Sequence, residues 1–133
     1  MKGPILTSGK RKTAVAKAAT RKGKGIITIN GLPVEFYPVD LLKEKILEPI
    51  RLIGDKASHV NIDVVVHGGG PTGQADASRT AIAKGIVSYF KDDAISESFK
   101  QYDRTLLVND IRRKLPKKPY GSGARAKRQK SYR

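Results

Sequence analysis

The uneven distribution of charge along this chain is the feature that most restricts what it can fold into. Residues 1–24 hold eight Lys and Arg and no acid, residues 25–103 hold eight bases and eleven acids, and residues 104–133 hold eleven bases and one acid. Only the middle has the mixed charge that is typical of a soluble folded domain. The net charge of +15 therefore lies at the two ends, and this layout indicates a polyanionic partner.

Length and composition exclude several classes of protein. The 133 residues suffice for one domain. The absence of Cys excludes disulfide scaffolds, thiol nucleophiles and iron–sulfur clusters, and two His are too few for a His-built metal centre. We therefore expect no metal and no cofactor. We also expect a cytoplasmic protein with no membrane partner, because no stretch is apolar enough for a secretory signal or a membrane span.

Alternating apolar residues predict strands over residues 12–19, 26–29 and 59–67, with Ala14, Ala16 and Ala18 on one face of the first. A turn is expected over 21–25. Asn30-Gly31 predicts a hairpin that returns through 32–36, with Pro33 favouring an edge position.

Three segments show helical patterns. Leu42, Ile46, Ile50 and Ile53 form an apolar stripe that Pro49 should break or kink and that Gly54 should end. A longer helix is expected over 72–90, burying Ala75, Ile82, Ile86 and Tyr89 or Phe90, with Arg79 and Lys84 off its apolar stripe. A short helix should cover 94–102, followed by an apolar segment at 106–108.

The segment GGGPTGQA at 68–75 is the most enzyme-like feature of the chain. It fits glycine-rich phosphate-loop patterns, but Gln74 and Ala75 stand where a Walker loop needs Lys and then Ser or Thr. An enzyme is therefore not expected. Two interpretations stay open: the glycines permit a tight turn and close packing, or their N–H groups hold a phosphate of a nucleic acid. For His67, just before the loop, we favour a structural role over phosphate contact, and we assign Asp76 to the helix dipole.

The last eighteen residues contain seven bases, no acid and no large aliphatic residue. Such a segment cannot bury enough apolar surface to fold alone. Its mixture of Lys, Arg, Tyr and Gly suits an irregular folded RNA better than a uniform duplex.

Five segments closely resemble the small-subunit ribosomal protein nine family: GKRKTAVAKA at 9–18, INGLP at 29–33, GGGPTGQADASRTAIAKG at 68–85, YDRTLLVNDIRRK at 102–114 and GARAKRQKSYR at 123–133. They span nearly the whole chain in the family's order, and the ending KSYR resembles the archaeal and eukaryotic branch. Ile111 follows Asp110 where many relatives have proline, and Gly85 stands where alanine is common.

The resemblance implies an α/β (α+β) fold, a two-layer sheet-and-helix domain similar to the second domain of small-subunit ribosomal protein five. That fold has a left-handed βαβ crossover, whereas the general rule favours the right-handed form. The expected domain covers 1–108, with a basic N-terminal strand region at 1–24. An extended basic RNA-binding tail is expected over 109–133.

The resemblance also implies a non-catalytic structural constituent of the small ribosomal subunit. Its expected partners are ribosomal RNA of the subunit head, neighbouring head proteins and the anticodon stem-loop of peptidyl-site tRNA. The implied rRNA-binding residues are Lys10, Arg11, Lys12, Thr13, Arg21, Lys22, Gly69, Gly70, Gly73, Gln74, Arg79, Arg104, Arg112, Arg113, Lys117, Lys118, Tyr120, Arg125 and Lys127. The implied tRNA-binding residues are Arg128, Lys130, Tyr132 and Arg133.

Two alternatives share some of these features. An RNA chaperone outside the ribosome would have the same charge layout. A small-molecule kinase would use the glycine loop, although the missing Lys at position 74 argues against it.

Overall fold

A computed structural model describes residues 3–121, 123–125 and 131, and shows a mixed α+β domain. The strands are β1 (Ile5–Arg11), β2 (Ala14–Lys22), β3 (Ile27–Ile29), β4 (Leu32–Pro33) and β5 (Val60–His67). The α-helices are α1 (Asp40–Ile53), α2 (Pro71–Phe90) and α3 (Asp93–Tyr102), and 3-10 turns cover Val34–Phe36, Gly54–His59 and Arg104–Leu106. None of the described helices is both long and apolar enough to cross a bilayer.

The five strands form one sheet in the order β1-β2-β5-β3-β4. Neighbouring strands are antiparallel except β3 and β5, which are parallel and are joined through α1. Because β4 lies at the edge, Pro33 costs the sheet no central hydrogen bond, as its sequence position predicted.

The helices cover one face of the sheet, and the core lies between them. Ala14, Ala16 and Ala18 of β2 are buried, as their alternation predicted, and Val64 and Val66 of β5 are buried beside them. Small side chains on β2 leave room for α2, which packs across β1, β2 and β5. The predicted helices over 72–90 and 94–102 are confirmed within one residue at each end.

The opposite face of the sheet is covered by no described helix, and we call it the open face. It consists of Leu6, Ser8, Lys10, Val15, Lys17, Ala19, Arg21, Thr28, Asn61, Asp63, Val65 and His67, which alternate with the buried residues of their strands.

The N-terminal strand β1 was not predicted. Leu6 is exposed and Gly9 is buried, so the residues of β1 do not alternate in hydropathy as a half-buried strand should. Lys12, with a φ of 56°, makes the turn to β2. β2 then extends to Lys22, so the turn expected over 21–25 begins later, at Gly23.

The sequence predicted a break or a kink at Pro49, and the break is wrong, because α1 continues through this residue to Ile53. Proline removes one helical N–H, but here its ring is buried and packs in the core, which offsets that loss. The helix ends at Gly54, as predicted.

The hairpin at Asn30-Gly31 is confirmed, since both residues have positive φ, 51° and 84°, as a type I′ turn requires. The returning strand is shorter than the predicted 32–36. It ends at Pro33, and Val34–Phe36 form a 3-10 turn.

Candidate nucleic-acid interface

Three segments that are distant in sequence meet at one end of the sheet. They are the β1–β2 turn at Lys12 and Thr13, the glycine loop between β5 and α2, and the chain at Asn109 and Asp110. The Lys12 amide donates to the Asp110 carbonyl at 2.9 Å. A Cβ at Gly68 would lie 2.7 Å from the Thr13 carbonyl oxygen, so the loop and the turn touch through their backbones.

The geometry of the glycine loop establishes the structural interpretation that the sequence left open. Gly68 and Gly69 have φ of 77° and 66°, which L side chains rarely adopt, and both approach the start of β2 closely. The phosphate interpretation is compatible with the same geometry. Helix α2 begins at Pro71, and no described side chain caps it. The N–H groups of Thr72 and Gly73 have no acceptor within the helix and can donate to an anion.

A concavity of about 240 Å³ lies between the loop and the β1–β2 turn, and we call it the loop site. Its lining is Arg11, Lys12, Thr13, Gly69, Gly70, Thr72, Gly73 and Asp76. The structure thus brings together the two groups of predicted rRNA-binding residues at 11–13 and 69–73. Gln74 contributes to the shape of the loop, because its side-chain amide donates to the Gly68 carbonyl at 3.2 Å.

Asp76 places a carboxylate in the loop site, where it would repel a phosphate if it were unpaired. Lys45 Nζ lies 3.0 Å from one carboxylate oxygen and Arg11 Nε lies 3.6 Å from the other. These ion pairs offset its charge, and they account for Asp76 better than the helix dipole expected from the sequence. The Lys12 side chain is exposed and forms no ion pair with a described carboxylate.

Backbone and side-chain hydrogen bonds hold the chain after α3 beside β1. We call the residues that make these bonds the tail anchor: Lys10, Arg11, Lys12, Asn109 and Asp110. The Asp110 amide donates to the Lys10 carbonyl at 3.1 Å, and the Lys12 amide completes the bridge to Asp110. The Asn109 side-chain oxygen accepts from the Lys10 amide at 3.3 Å.

Two guanidinium groups surround the Asp110 carboxylate, those of Arg112 and Arg11. Hydrogen bonds from the Arg112 side chain and amide hold the pKa of this carboxyl far below its usual range, and both positive charges add to the effect. Asp110 is the single acid of residues 104–133, so it is the one carboxylate of this region that can pair with its basic side chains.

Arg79 is turned into the protein, which contradicts the expected position off the apolar stripe of α2. The residue is 7% exposed. Its guanidinium lies 2.5 Å from Glu48 and 2.8 Å from both Asp103 and Thr105. Burial raises the pKa of Asp103, but hydrogen bonds from Thr105 and Arg79 outweigh it and leave that pKa lowered.

Lys84 is also turned inward, and it donates to the Asn109 side-chain oxygen at 2.8 Å. Its partial burial lowers its pKa. The sequence pattern missed both positions because α2 is covered on several sides, by the sheet, by α1 and by the chain after α3. Arg79 and Lys84 therefore support the fold and do not extend the loop site.

The other predicted residues lie elsewhere on the surface. Arg21 and Lys22 are at the far end of β2, about 25 Å from Ala14 at the usual rise of a strand. Arg21 pairs with Asp63. Seven of the predicted rRNA-binding residues lie in the chain after α3 and are exposed: Arg104, Arg112, Arg113, Lys117, Lys118, Tyr120 and Arg125.

His67 is exposed at the end of β5, so the structural role favoured from the sequence is not supported by burial or by any described side-chain hydrogen bond. Predicted site residues Lys127, Arg128, Lys130, Tyr132 and Arg133 lie outside the described residues. Within the described ranges, no group of three or more His, Asp or Glu is placed to hold a metal ion.

Sequence reasoning missed Asn109 and Glu48, whose partners come from segments far along the chain. The sequence offered one signal for this region. Asp110 is a single acid among eleven bases, which indicates that its carboxylate pairs with basic side chains nearby.

Comparison with known proteins identifies the family. The family described as Ribosomal protein S9/S16 matches residues 9–133. Three curated relatives are each named small ribosomal subunit protein uS9. The chain is 65% identical over 129 residues to that of Thermoplasma volcanium, which covers 97% of this chain and 98% of the relative. It is 62% identical over 129 residues to the protein of Picrophilus torridus, and the match covers 97% of this chain and 97% of the relative. It is 51% identical over 128 residues to the protein of Halobacterium salinarum, and this match covers 96% of the chain and 97% of the relative. A match that begins within β1 and includes the glycine loop, the tail anchor and the basic C-terminus shows that this chain belongs to the ribosomal protein S9/S16 family.

Proposed function

We propose that this chain, a non-catalytic structural constituent of the small ribosomal subunit, binds ribosomal RNA through the loop site and its basic tail and contacts peptidyl-site tRNA with its C-terminus. The observation that carries the proposal is the meeting of the β1–β2 turn, the glycine loop and the tail anchor at one end of the sheet. An RNA strand at this end can reach all three segments.

The loop site supplies the groups that a phosphate needs. Lys12 offers an exposed ammonium group, and the N–H groups of Thr72 and Gly73 point out of the first turn of α2. Charge-assisted hydrogen bonds of this kind are stronger than neutral ones. Because each neutralised phosphate releases counterions, binding here should weaken as salt is raised.

The described part of the tail extends the same basic surface. Residues 111–121 are exposed and carry five bases. The Tyr120 side chain is 78% exposed, so its ring is free to stack on an unpaired base. The tail anchor determines where this segment leaves the domain, which is beside the loop site.

The proposed tRNA contact involves Arg128, Lys130, Tyr132 and Arg133, and its support is the family resemblance of the C-terminal block. Chain length is compatible with it. From Asp110 to Arg133 an extended chain spans up to about 75 Å, so the C-terminus can reach a site far from the domain.

The rRNA contact is tested by Lys12→Gln in the full chain, with filter binding to a small-subunit head rRNA fragment. We expect affinity to fall and the slope of log affinity against log salt to become shallower by about one phosphate contact. Lys100→Gln, which removes an exposed charge on α3, is the matched control. Equal affinities for the two variants would contradict an RNA contact at the loop site.

The tRNA contact is tested by deleting residues 128–133 and reconstituting small subunits. We expect assembly to be largely intact and peptidyl-site tRNA affinity, measured by filter binding, to fall. Unchanged tRNA affinity in subunits that contain the shortened chain would refute this part of the proposal.

The resemblance carries further expectations that belong to the same proposal. The β3–α1–β5 crossover should be left-handed, as in the second domain of small-subunit ribosomal protein five. The tail should begin at residue 109, after a domain over 1–108. The domain should sit in the head of the subunit, against neighbouring head proteins, in the cytoplasm. An experimental map of the assembled subunit tests these points together.

The family is non-catalytic, so the kinase alternative is discarded. An RNA chaperone outside the ribosome would be separated by sedimentation, because a ribosomal protein co-migrates with small subunits after a moderate salt wash.

A further inference from the structure

We propose that the open face of the sheet is a second RNA-docking surface, on which Lys17 and His67 contact the phosphate backbone. The inference rests on the proposed function, because it assigns a further surface to the same class of partner. Lys17 was not among the candidates chosen from the sequence, and for His67 the sequence favoured a structural role over phosphate contact.

The strand register arranges the open face in rows. One row places Lys10, Val15 and His67 side by side on β1, β2 and β5. The next row places Ser8, Lys17 and Val65 side by side. Lys17 therefore lies in the middle strand of three, one row from Lys10 and His67. In the third row, Leu6, Ala19 and Asp63 are aligned in the same way.

On the open face, the charged side chains that are not in a described ion pair are basic. Asp63 is its one carboxylate, and this group pairs with Arg21 and accepts from the Thr28 hydroxyl at 2.8 Å. Lys10 and Lys17 form no ion pair with any carboxylate that the structure describes. A negatively charged occupant is therefore favoured over an apolar or a basic one.

Exposed apolar side chains lie among these charges. Leu6 is 76% exposed and Val65 is 60% exposed, both on the face that none of the described helices covers. A partner that covers them must offer uncharged surface next to its charges. The sugars and bases between the phosphates of an RNA provide such surface, and a folded RNA is irregular enough to follow a twisted sheet.

The open face is continuous with the loop site. His67 directly precedes Gly68, and Lys10 is joined through Arg11 to Lys12 at the β1–β2 turn. An RNA strand that places a phosphate in the loop site thus continues onto the row of Lys10 and His67, and then onto Lys17. This continuity selects RNA as the occupant in preference to a neighbouring protein.

The first experiment uses the full chain with Lys17→Gln and His67→Gln combined, and the same rRNA head fragment in filter binding. We expect affinity to fall about tenfold through loss of the Lys17 contact, with a shallower salt dependence. Lys100→Gln is the control on the helical layer, and thermal unfolding verifies that each variant is folded. Affinity equal to that of the control would overturn the proposal.

A second experiment is independent of affinity. A photo-crosslinker at Val65 in reconstituted small subunits should yield adducts with ribosomal RNA. Crosslinks to a neighbouring protein alone would overturn the proposal and assign the open face to that protein. If Lys12→Gln weakens binding while the Lys17/His67 variant does not, the proposed function stands and this inference fails. If neither variant weakens binding, this inference and the proposed RNA contact at the loop site both fail.

Discussion

Arg79 and Arg104 show, at the scale of single residues, how burial changes the role of a basic side chain. Both were candidates for RNA contact. Arg79 is enclosed with Glu48 and Asp103, whereas Arg104 is exposed. A guanidinium held by two carboxylates is not free to bind phosphate, so the two residues should respond differently to substitution.

We expect Arg79→Ala to destabilise the domain, because it leaves two partly buried carboxylates unpaired. Breaking a fully buried pair costs about 3–5 kcal/mol, and since these acids are partly exposed we expect about 2 kcal/mol. The free energy of unfolding, measured by urea denaturation, checks this. Arg104→Ala should change it by less than about 0.5 kcal/mol while weakening rRNA binding. The opposite pattern would contradict both assignments.

The close approach of Gly85 and Thr20 is a second feature at the scale of single residues. A Cβ at Gly85 would collide with the Thr20 hydroxyl oxygen, which is buried and has no hydrogen-bond partner in the described part of the chain. This contact explains why the chain needs glycine at position 85.

We therefore expect Gly85→Ala alone to destabilise the domain by about 1–3 kcal/mol through overpacking. Combined with Thr20→Ala, the same change should be tolerated, because the hydroxyl is gone and alanine is favoured over glycine in a helix by about 1 kcal/mol. A double-mutant cycle of unfolding free energies measures the coupling. A coupling energy near zero would show that the two positions do not share space.

The tail anchor is the feature that matters at the scale of elements. It adds a short parallel bridge to the outer edge of β1 and so connects the basic tail to the sheet. The bridge depends on Asp110, which binds Arg112 and Arg11 through its side chain and Lys10 and Lys12 through its backbone.

Asp110→Asn should loosen this bridge, because the amide cannot balance two guanidinium groups. We expect faster hydrogen exchange at the Lys12 and Asp110 amides, which form the bridge, with unchanged exchange in β5. Asp55→Asn, an exposed acid in the turn after α1, serves as the control. If the Lys12 and Asp110 amides of Asp110→Asn exchange as slowly as in the parent chain, the backbone hydrogen bonds hold the tail without the carboxylate.

At the scale of the whole molecule, the lowered carboxyl pKa values of Asp92, Asp103 and Asp110 make stability depend on acid pH. Hydrogen bonds and nearby cations lower the pKa of Asp110 and, against the effect of burial, that of Asp103. A carboxyl whose pKa is lower in the folded state binds more protons when unfolded. It therefore stabilises the fold above its unfolded pKa and loses this contribution as pH falls through its folded pKa.

The urea midpoint should consequently fall as pH is lowered below about 4, where unfolded aspartates begin to take up protons. In Asp103→Asn the fall should be smaller, because one of the three carboxyl groups with a lowered pKa no longer titrates. If the urea midpoints of the parent chain and of the variant depend on pH in the same way, the role given to Asp103 is contradicted.

Local patterns predicted most of the elements. The alternation of Ala14, Ala16 and Ala18, the stripe of α1 and the Asn30-Gly31 turn each depend on neighbours within a few residues, and the structure confirms them. β1 escaped prediction because it is held by β2 and α2, and not by its own pattern. The loop site was predicted as two separate segments, since nothing in either segment shows that they touch.

The sequence by itself determined the excess charge at both ends, the absence of thiol chemistry, the turn and helix signals, and the motifs that identified the family. These properties depend on composition and short-range order. Only the tertiary structure decided that Arg79 and Lys84 turn inward, that Asp110 fastens the tail beside β1, and that one face of the sheet is left open and basic. Each of these depends on contacts between residues far apart in the chain, because burial and pairing follow from which surfaces meet when the chain folds.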